Sequence, residues 1–172
     1  QASPGAIEFP DWDEASLLRI REAINVLAAS RGSMKGLFGD ARTLDPISHL
    51  LGTAYGWGGN PDTAAVYING TPAQNDGNTP YVLRVGDVPV DGFWSVTMYN
   101  AKGYMQENDL DAYSYNNVTA KKDPDGGVTI HFGGDPSASN YLPITPGWNY
   151  TARLYQPRQA VLDGSYTFPE AV

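Results

Sequence analysis

The chain has 172 residues, a formal net charge of −8 at pH 7 and no cysteine, and this length fits one domain that buries about two-thirds of its unfolded surface. The negative charge, with no Lys/Arg cluster larger than the pair Lys121 and Lys122, disfavours nucleic acid and anionic membranes as partners. The lack of cysteine excludes disulfides and thiolate sites, and no stretch approaches the roughly 18 consecutive apolar residues of a membrane span.

The amino-acid composition gives an expectation about where in the cell the protein is found. Charged residues make up 17% of the chain, which is rich in Gly, Asn, Tyr and Thr and so resembles exported β-proteins. We therefore expect a periplasmic or secreted protein, and Gln1 at the start fits either a removed leader or a trimmed fragment. Asn-x-Thr sequons occur at Asn69, Asn117 and Asn149, but chance triplets are expected in such a sequence and they do not predict glycosylation.

The first predicted element is an amphipathic helix from Asp11 to Ser30. Asp11 and Glu14 have the spacing of a capping box, and Gly32 stands where a helix end favours a left-handed residue. Four apolar residues fall on one stripe: Leu17, Ile20, Ile24 and Leu27. We expect this stripe to pack on the rest of the fold, with an oligomer contact as the alternative.

A second, shorter helix is predicted to begin at Pro46 and to end by Gly52. Asp45 can cap it, and proline suits the first helical position because its missing N–H costs nothing there. Trp57 follows in a glycine-rich loop, which allows close approach to a flat ligand and leaves the indole with few local neighbours.

Downstream of Pro61 the hydrophobic period changes to two, which predicts about eight strands. They are Ala65–Ile68, Tyr81–Val85, Phe93–Tyr99, Ala112–Tyr115, Val118–Lys121, Val128–Phe132, Tyr150–Tyr155 and Ser165–Phe168. The turn sequence from Asp123 to Gly127 predicts a hairpin. The pattern indicates one domain, mainly β: an antiparallel β-sandwich formed by residues 61–172, with an N-terminal helical segment and loop, residues 1–60, packed on it.

Several longer stretches of sequence resemble family 1214 of the domains of unknown function. They are Tyr55–Gly58, Tyr81–Arg84, Val90–Tyr99, Asn140–Pro143, Arg153–Pro157 and Val161–Gly164 with Pro169. The resemblance implies a jelly-roll sandwich and no assigned chemistry, and many relatives carry an upstream domain, often of family 1254. Two departures stand out: Ala112 precedes Tyr113 where relatives carry arginine, and Tyr141 replaces a tryptophan. If that arginine holds an anion in relatives, this chain would not bind the same ligand in the same way.

Catalytic residues are few in this sequence. His131 lies on a strand face opposite its apolar neighbours and could act as a general base with a carboxylate such as Asp135. Asp109 and Asp111 could form the acid/base pair of a glycoside hydrolase, although a solvated turn is the preferred interpretation of this acidic cluster. With His49 the only other histidine, no His-rich metal site and no cofactor are predicted.

The sequence contains more candidate ligand-binding residues than candidate catalytic residues. Arg84 and Arg153 each project from a strand face opposite a leucine, and a fixed arginine fork suits carboxylates or sugar hydroxyls. The alternative is that they form internal ion pairs, with Asp91 or Asp163 as partners. The aromatic residues suited to stacking on a sugar ring are Trp57, Tyr99, Tyr113 and Tyr155.

These observations support three hypotheses. The leading one is a sandwich outside the cytoplasm that recognises a carbohydrate or polyol through these aromatic residues and the two arginines. The second is an enzyme that acts on a glycoside, with His131, Asp109 and Asp111 as its acid/base groups. The third is a self-assembling structural subunit that docks through the Leu17–Leu27 stripe or the segment Gln1–Pro10.

Overall fold

The computed structural model describes residues 10–172, so most of the segment Gln1–Pro10 lies outside the described residues. Two N-terminal helices precede seven strands and a short third helix. In chain order the elements are α1 (Glu14–Ala29), α2 (Pro46–Gly56), β1 (Ala65–Gly70), β2 (Tyr81–Val85), β3 (Trp94–Tyr99), β4 (Ser114–Asn116), β5 (Val128–Phe132), β6 (Tyr141–Leu142), β7 (Asn149–Tyr155) and α3 (Gln159–Leu162). None of the helices in this part of the chain has the length and apolarity required to cross a bilayer.

Helix α1 begins later than its sequence predicted. Asp13, not Asp11, is the N-cap, and its side chain accepts a hydrogen bond from the N–H of Ser16 at 3.2 Å. Glu14 is therefore the first helical residue and cannot complete the predicted capping box. After Ala29 the chain leaves the helix, and Gly32 takes up the left-handed conformation (φ 65°) that was expected of it.

The apolar stripe of α1 is exposed. Leu17, Ile20 and Leu27 keep 45%, 55% and 60% of their surface in contact with solvent, and Ala28 is the one residue of the helix that is fully buried. The expected burial of this stripe on the sandwich is therefore not seen. The helix packs mainly against α2, and the loop after it joins the sandwich through Lys35, whose Nζ donates to the carbonyl of Leu162 at 2.9 Å.

Helix α2 starts as predicted but runs four residues further. Asp45 caps it by accepting from the N–H of Ser48 at 2.7 Å, and Pro46 is the first residue. Gly52 lies within the helix and does not end it. Its missing side chain makes room for a neighbour, since a Cβ there would lie 2.7 Å from the Cβ of Leu37. The glycine thus lets the α1–α2 loop seat the buried Leu37 against the helix.

The strands form two sheets that confirm the mainly-β sandwich. The larger sheet has the order β1-β7-β3-β4 with antiparallel neighbours throughout. The smaller sheet has the order β2-β5-β6, and its β5–β6 pair is parallel, so the sandwich is not purely antiparallel. The jelly-roll connectivity and the division at residue 60 remain predictions.

Two of the predicted strands are absent, and one strand was missed. The predicted strand 118–121 does not form: residues 117–119 make a turn, because the side chain of Asn116 accepts from the N–H groups of Val118 and Thr119, which removes them from any ladder. The turn from Asp123 to Gly127 does form, but it leads into β5 from a loop instead of closing a hairpin. Residues 165–168 are irregular, and the two-residue β6 was not predicted.

The core lies between the two sheets and follows simple alternation. Leu83 and Leu154 have no solvent exposure, whereas their neighbours Arg84 and Arg153 point away from the core. Trp148 is fully buried and stacks on Phe132 with a ring-centre distance of 4.8 Å. The inward and outward faces predicted for β2, β5 and β7 are therefore confirmed.

Asn140 connects β6 to the turn before β5. It is 6% exposed and has a positive φ of 54°. Its side-chain amide donates to the carbonyls of Lys121 and Thr129 at 2.8 and 2.9 Å, and its oxygen accepts from the N–H of Lys121 at 2.8 Å. This side chain thus satisfies three backbone groups that have no ladder partner there.

Candidate ligand-binding cleft

The outer face of the larger sheet carries polar and aromatic side chains. The register places Arg153 of the central strand β7 between Tyr67 of β1 and Ser95 of β3. The next row of this face contains Asn69, Thr151 and Thr97. A sheet face of this composition presents hydrogen-bonding groups in fixed positions because each side chain is anchored to a paired strand.

A cleft of about 660 Å³ lies over this face. The outward side chains of β1, β3 and β7 form its floor, and its walls come from the end of α2, from Arg21 of α1 and from the loop at Lys102. Four of the six residues predicted to bind a ligand line it: Trp57, Tyr99, Arg153 and Tyr155. The fold therefore gathers into one place residues that are up to 98 positions apart in the chain.

Arg153 is held on the floor of the cleft by neutral groups. Its guanidinium donates to the Thr97 hydroxyl at 3.2 Å and to the Tyr99 hydroxyl at 2.6 Å, and its Cζ lies 5.7 Å from the centre of the Tyr99 ring. Among residues 10–172, no carboxylate lies within ion-pair distance of it. The alternative of an internal ion pair with Asp91 or Asp163 is therefore wrong for this arginine.

Trp57 forms part of the wall in an unusual backbone conformation. It caps α2 with φ 63° and ψ −43°, and the N–H of Gly58 donates to the carbonyl of Gly56 at 2.7 Å. These dihedrals and this contact define a γ-turn of the rare, strained type, centred on a bulky residue. The indole is 55% exposed, with the Tyr104 ring at 5.8 Å and the Arg21 guanidinium at 5.9 Å.

The glycines beside Trp57 have a different use from the one expected. A Cβ on Gly59 would lie 2.5 Å from the ring of Phe38, so this glycine makes room for a buried phenylalanine. Gly58 has open space around it. The glycine-rich loop therefore seats Phe38 on one side and leaves the indole of Trp57 facing the cleft on the other.

Tyr155 lies at one end of the floor and Asn25 at the wall. The Tyr155 ring stacks on Phe93 with centres 4.3 Å apart, which fixes its orientation. Asn25 also lines the cleft, and its side-chain oxygen is buried without a hydrogen-bond donor among the described residues. A buried acceptor of this kind needs a donor from water or a ligand.

Arg84 lies elsewhere. It projects from β2 on the outer face of the smaller sheet, where it pairs with Asp125 and, at 2.7 Å, with Asp123 of the neighbouring turn. The ion-pair alternative therefore holds for Arg84, with partners other than those considered, since Asp91 pairs with Arg158 at 2.7 Å. Alternation fixed the outward direction of each arginine but not the sheet to which its strand belongs.

The remaining predicted residues also lie outside the cleft. Tyr113 does not line it; partial desolvation and the adjacent Asp111 raise the pKa of this tyrosine. His131 is on the smaller sheet beside Tyr141, while Asp109 and Asp111 belong to the loop before β4. Within residues 10–172, no three His, Cys, Asp or Glu side chains come together as metal ligands.

Several lining residues were missed by sequence analysis. Tyr67 and Asn69 of β1 share the outward parity of Arg153, so alternation could have found them. Lys102 and Arg21 could not be found that way, because their position depends on how a loop and a helix are placed over the sheet. The cleft is thus assembled from local patterns that sequence shows and from tertiary placement that it does not.

Comparison with known proteins identifies the family but no activity. Residues 64–159, more than half of the chain, match the family described as a protein of unknown function (DUF1214). The VPA0106 protein from Vibrio parahaemolyticus is similar in structure, with a TM-score of 0.66 and 29% sequence identity over 98% of this chain and 47% of that one. An uncharacterized protein from Burkholderia cenocepacia shares 22% identity over 72% of this chain and 32% of that one, with a TM-score of 0.47.

No curated protein matches this chain. The chain spans about half the length of the Vibrio protein and about a third of the Burkholderia protein. The family match covers β1 to the start of α3, which includes all of the strands that form the floor of the cleft. This chain therefore belongs to the DUF1214 family, whose function is unknown.

Proposed function

We propose that the cleft binds a carbohydrate or a similar polyol and that the protein is a recognition module outside the cytoplasm. The observation that carries the proposal is the combination, in one cleft, of aromatic rings with amide and hydroxyl groups. Sugar rings expose C–H patches on their faces and hydroxyls at their edges, so they need these two kinds of partner at once. The location follows from composition and remains part of the proposal.

The dimensions of the cleft support a small ligand. Its volume of about 660 Å³ falls within the range of about 300–1,000 Å³ that is typical of ligand pockets. Trp57 on the wall and Tyr155 at the end of the floor offer ring faces, and Tyr155 is held by Phe93. These rings restrict a bound sugar ring to a few orientations.

The polar groups of the cleft support hydroxyl recognition. The Thr151 hydroxyl donates to the side-chain oxygen of Asn69 on the neighbouring strand at 2.8 Å, and Asn149 lies two residues before Thr151 on β7. Asn25 contributes the buried oxygen that has no hydrogen-bond donor within residues 10–172. A ligand hydroxyl can donate and accept at the same time, so it suits mixed amide and hydroxyl partners.

The lining favours binding over acid/base catalysis. The described residues that line the cleft include neither histidine nor aspartate nor glutamate, the usual groups for proton transfer at neutral pH. The three candidates for a glycosidase, His131, Asp109 and Asp111, lie outside it. No described contact therefore favours the enzyme hypothesis over recognition.

The proposal is tested by titrating the protein with a panel of oligosaccharides, using calorimetry and tryptophan fluorescence. Trp57→Ala is expected to weaken binding by about two- to tenfold, because stacking of an aromatic ring contributes about 0.5–1.5 kcal/mol. Trp12→Ala is the matched control, since Trp12 is 61% exposed and does not line the cleft. Equal binding by the two variants, or no binding of any sugar, would contradict the proposal.

A second candidate function is self-association through α1, with a second copy of this chain as the partner. The observation that favours it is the exposed apolar stripe containing Leu17, Ile20 and Leu27, since contiguous apolar surface is typical of interaction sites. Light scattering at increasing protein concentration would detect a dimer. Leu27→Glu should then reduce the mass to that of a monomer, and a wild-type monomer at all concentrations would contradict this candidate.

A further inference from the structure

The charge of the cleft is opposite to the charge of the molecule. The chain has 19 acidic and 11 basic residues, yet the described lining of the cleft contains Arg21, Lys102 and Arg153 and no carboxylate. The lining of the cleft is thus positively charged in a protein whose net charge is −8. The cleft is therefore suited to a negatively charged group.

Arg153 is the central cation of this arrangement. Three other arginines of the described chain, Arg42, Arg84 and Arg158, are each paired with an aspartate. Arg153 instead donates to two neutral hydroxyls, which hold its side chain in place without neutralising its charge. A guanidinium has five N–H donors in a planar fork, so donors remain for a ligand.

The surroundings of Arg153 favour a ring that carries the charge. The arginine lies on β7, two residues from Tyr155, and shares the cleft with the exposed indole of Trp57. A planar carboxylate matches the guanidinium fork through two parallel hydrogen bonds, whereas neutral hydroxyls engage it singly. The aromatic groups would contact the ring, and the arginine would contact its acidic substituent.

We infer that the ligand of the cleft is an acidic sugar, a uronic acid residue whose carboxylate pairs with Arg153. The inference rests on the proposed function, because it concerns the same cleft and names the class of sugar that the cleft takes. Lys102 and Arg21 extend the positive charge along the walls, which suits a chain of several acidic units. At physiological salt, acidic side chains that lie more than about 8 Å from the cleft are largely screened from a ligand inside it, so the positive charges of the lining dominate there.

The experiment compares three oligosaccharides of equal length by calorimetry at pH 7 and physiological salt. They are an oligogalacturonate, its methyl ester, which lacks the charge, and the neutral galactose oligomer. Wild-type protein is expected to bind the oligogalacturonate about 10- to 100-fold more tightly than the other two, because hydrogen bonds between charged groups contribute about 1.5–3 kcal/mol. Arg153→Gln should abolish this preference, because it lowers the affinity for the oligogalacturonate far more than the affinity for the neutral oligomer.

Two further variants make the result specific. Arg84→Gln is the matched control, an arginine on the outer face of the other sheet, and should keep the full preference. Lys102→Gln changes an exposed loop residue and leaves the core untouched. It should reduce the preference several-fold even if Arg153→Gln proves poorly folded by circular dichroism.

The possible failures are distinguishable. Equal affinity for the acidic and neutral oligomers, unchanged in the Arg153 and Lys102 variants, would overturn the acidic-sugar inference while the proposed recognition of sugars would stand. Preference for a sulfated galactose oligomer over the oligogalacturonate would also overturn it, since the anion would then not be a carboxylate. Absence of binding by all of these sugars would overturn both proposals.

Discussion

The backbone strain at Trp57 can be measured by comparing two substitutions that remove the same indole. Trp57→Ala and Trp57→Gly both lose the contacts with Tyr104 and Arg21, so these contacts cancel in the comparison. Alanine keeps a Cβ in the conformation with φ 63° and ψ −43°, whereas glycine adopts positive φ without steric cost. The difference in unfolding free energy between the two variants therefore reports the strain.

The expected difference is about 1 kcal/mol in favour of glycine. A non-glycine residue in such a region of dihedral space costs about 1–3 kcal/mol, and the greater freedom of glycine in the unfolded chain offsets about 0.4–1 kcal/mol of that. For a chain of this length, 1 kcal/mol corresponds to about 2–4 °C in Tm. Urea unfolding and differential scanning calorimetry of the two purified variants would measure it.

The comparison also separates the structural role of this position from its role in binding. Both variants are expected to lose affinity for a sugar equally, because neither has a ring, while they differ in stability. If Trp57→Ala proves as stable as Trp57→Gly or more so, the γ-turn is not strained as argued. The idea that the turn holds the indole over the cleft at an energetic cost would then be wrong.

Three further predictions concern stability. Asn140→Ala should lower the unfolding free energy by about 3 kcal/mol in urea titrations, because it leaves buried backbone groups without partners; a loss below about 1 kcal/mol would contradict this. Gly70→Ala should cost about 1–3 kcal/mol in the same assay, because its Cβ would overlap the ring of Tyr150, and unchanged stability would show that the ring is free to move. The N–H groups of Thr79 and Asn78 and the Thr79 hydroxyl hold the pKa of Asp76 well below its ordinary value of 3.8, so this carboxylate stabilises the fold fully above that pH and progressively less as pH falls towards the lowered pKa. The urea midpoints of Asp76→Ala and wild type should differ most at pH 7, and the difference should narrow as pH falls from 4 to 2; a constant gap would refute the assignment.

The sequence predicted best those strands whose alternation is regular and whose ends carry turn residues. Val128–Phe132 and Tyr81–Val85 were predicted with their observed bounds. Apolar and polar residues alternate along the whole of the first, whereas the second alternates from Leu83 to Val85 and is rich in β-branched and aromatic residues. Residues 118–121 failed for a local reason: their β-branched residues follow Asn116, whose side chain captures two N–H groups and forms a turn. Side-chain hydrogen bonding outweighed β-propensity there.

The site was only partly predictable because alternation determines a face and not a sheet. Arg84 and Arg153 have the same pattern of neighbours in sequence, yet one strand pairs into the smaller sheet and the other into the larger. Whether the two arginines lie in one cavity therefore depends on strand pairing, which alternation does not reveal, and the structure places them on different sheets. That Trp57 lines the same cleft as Arg153 likewise depends on how α2 is placed, which no local pattern encodes.

The helices and the sheet are connected in a way that affects how the cleft can adapt. Helices α1 and α2 pack mainly on each other, and polar contacts such as Lys35 to Leu162 and the N–H of Gly36 to Asp62 hold the loop between them against the sandwich. The wall that carries Trp57 and the floor that carries Arg153 thus belong to separately packed layers. We therefore expect the gap between them to vary in width at little energetic cost while the interior of the sandwich keeps its packing, which would let the proposed cleft take ligands of different thickness.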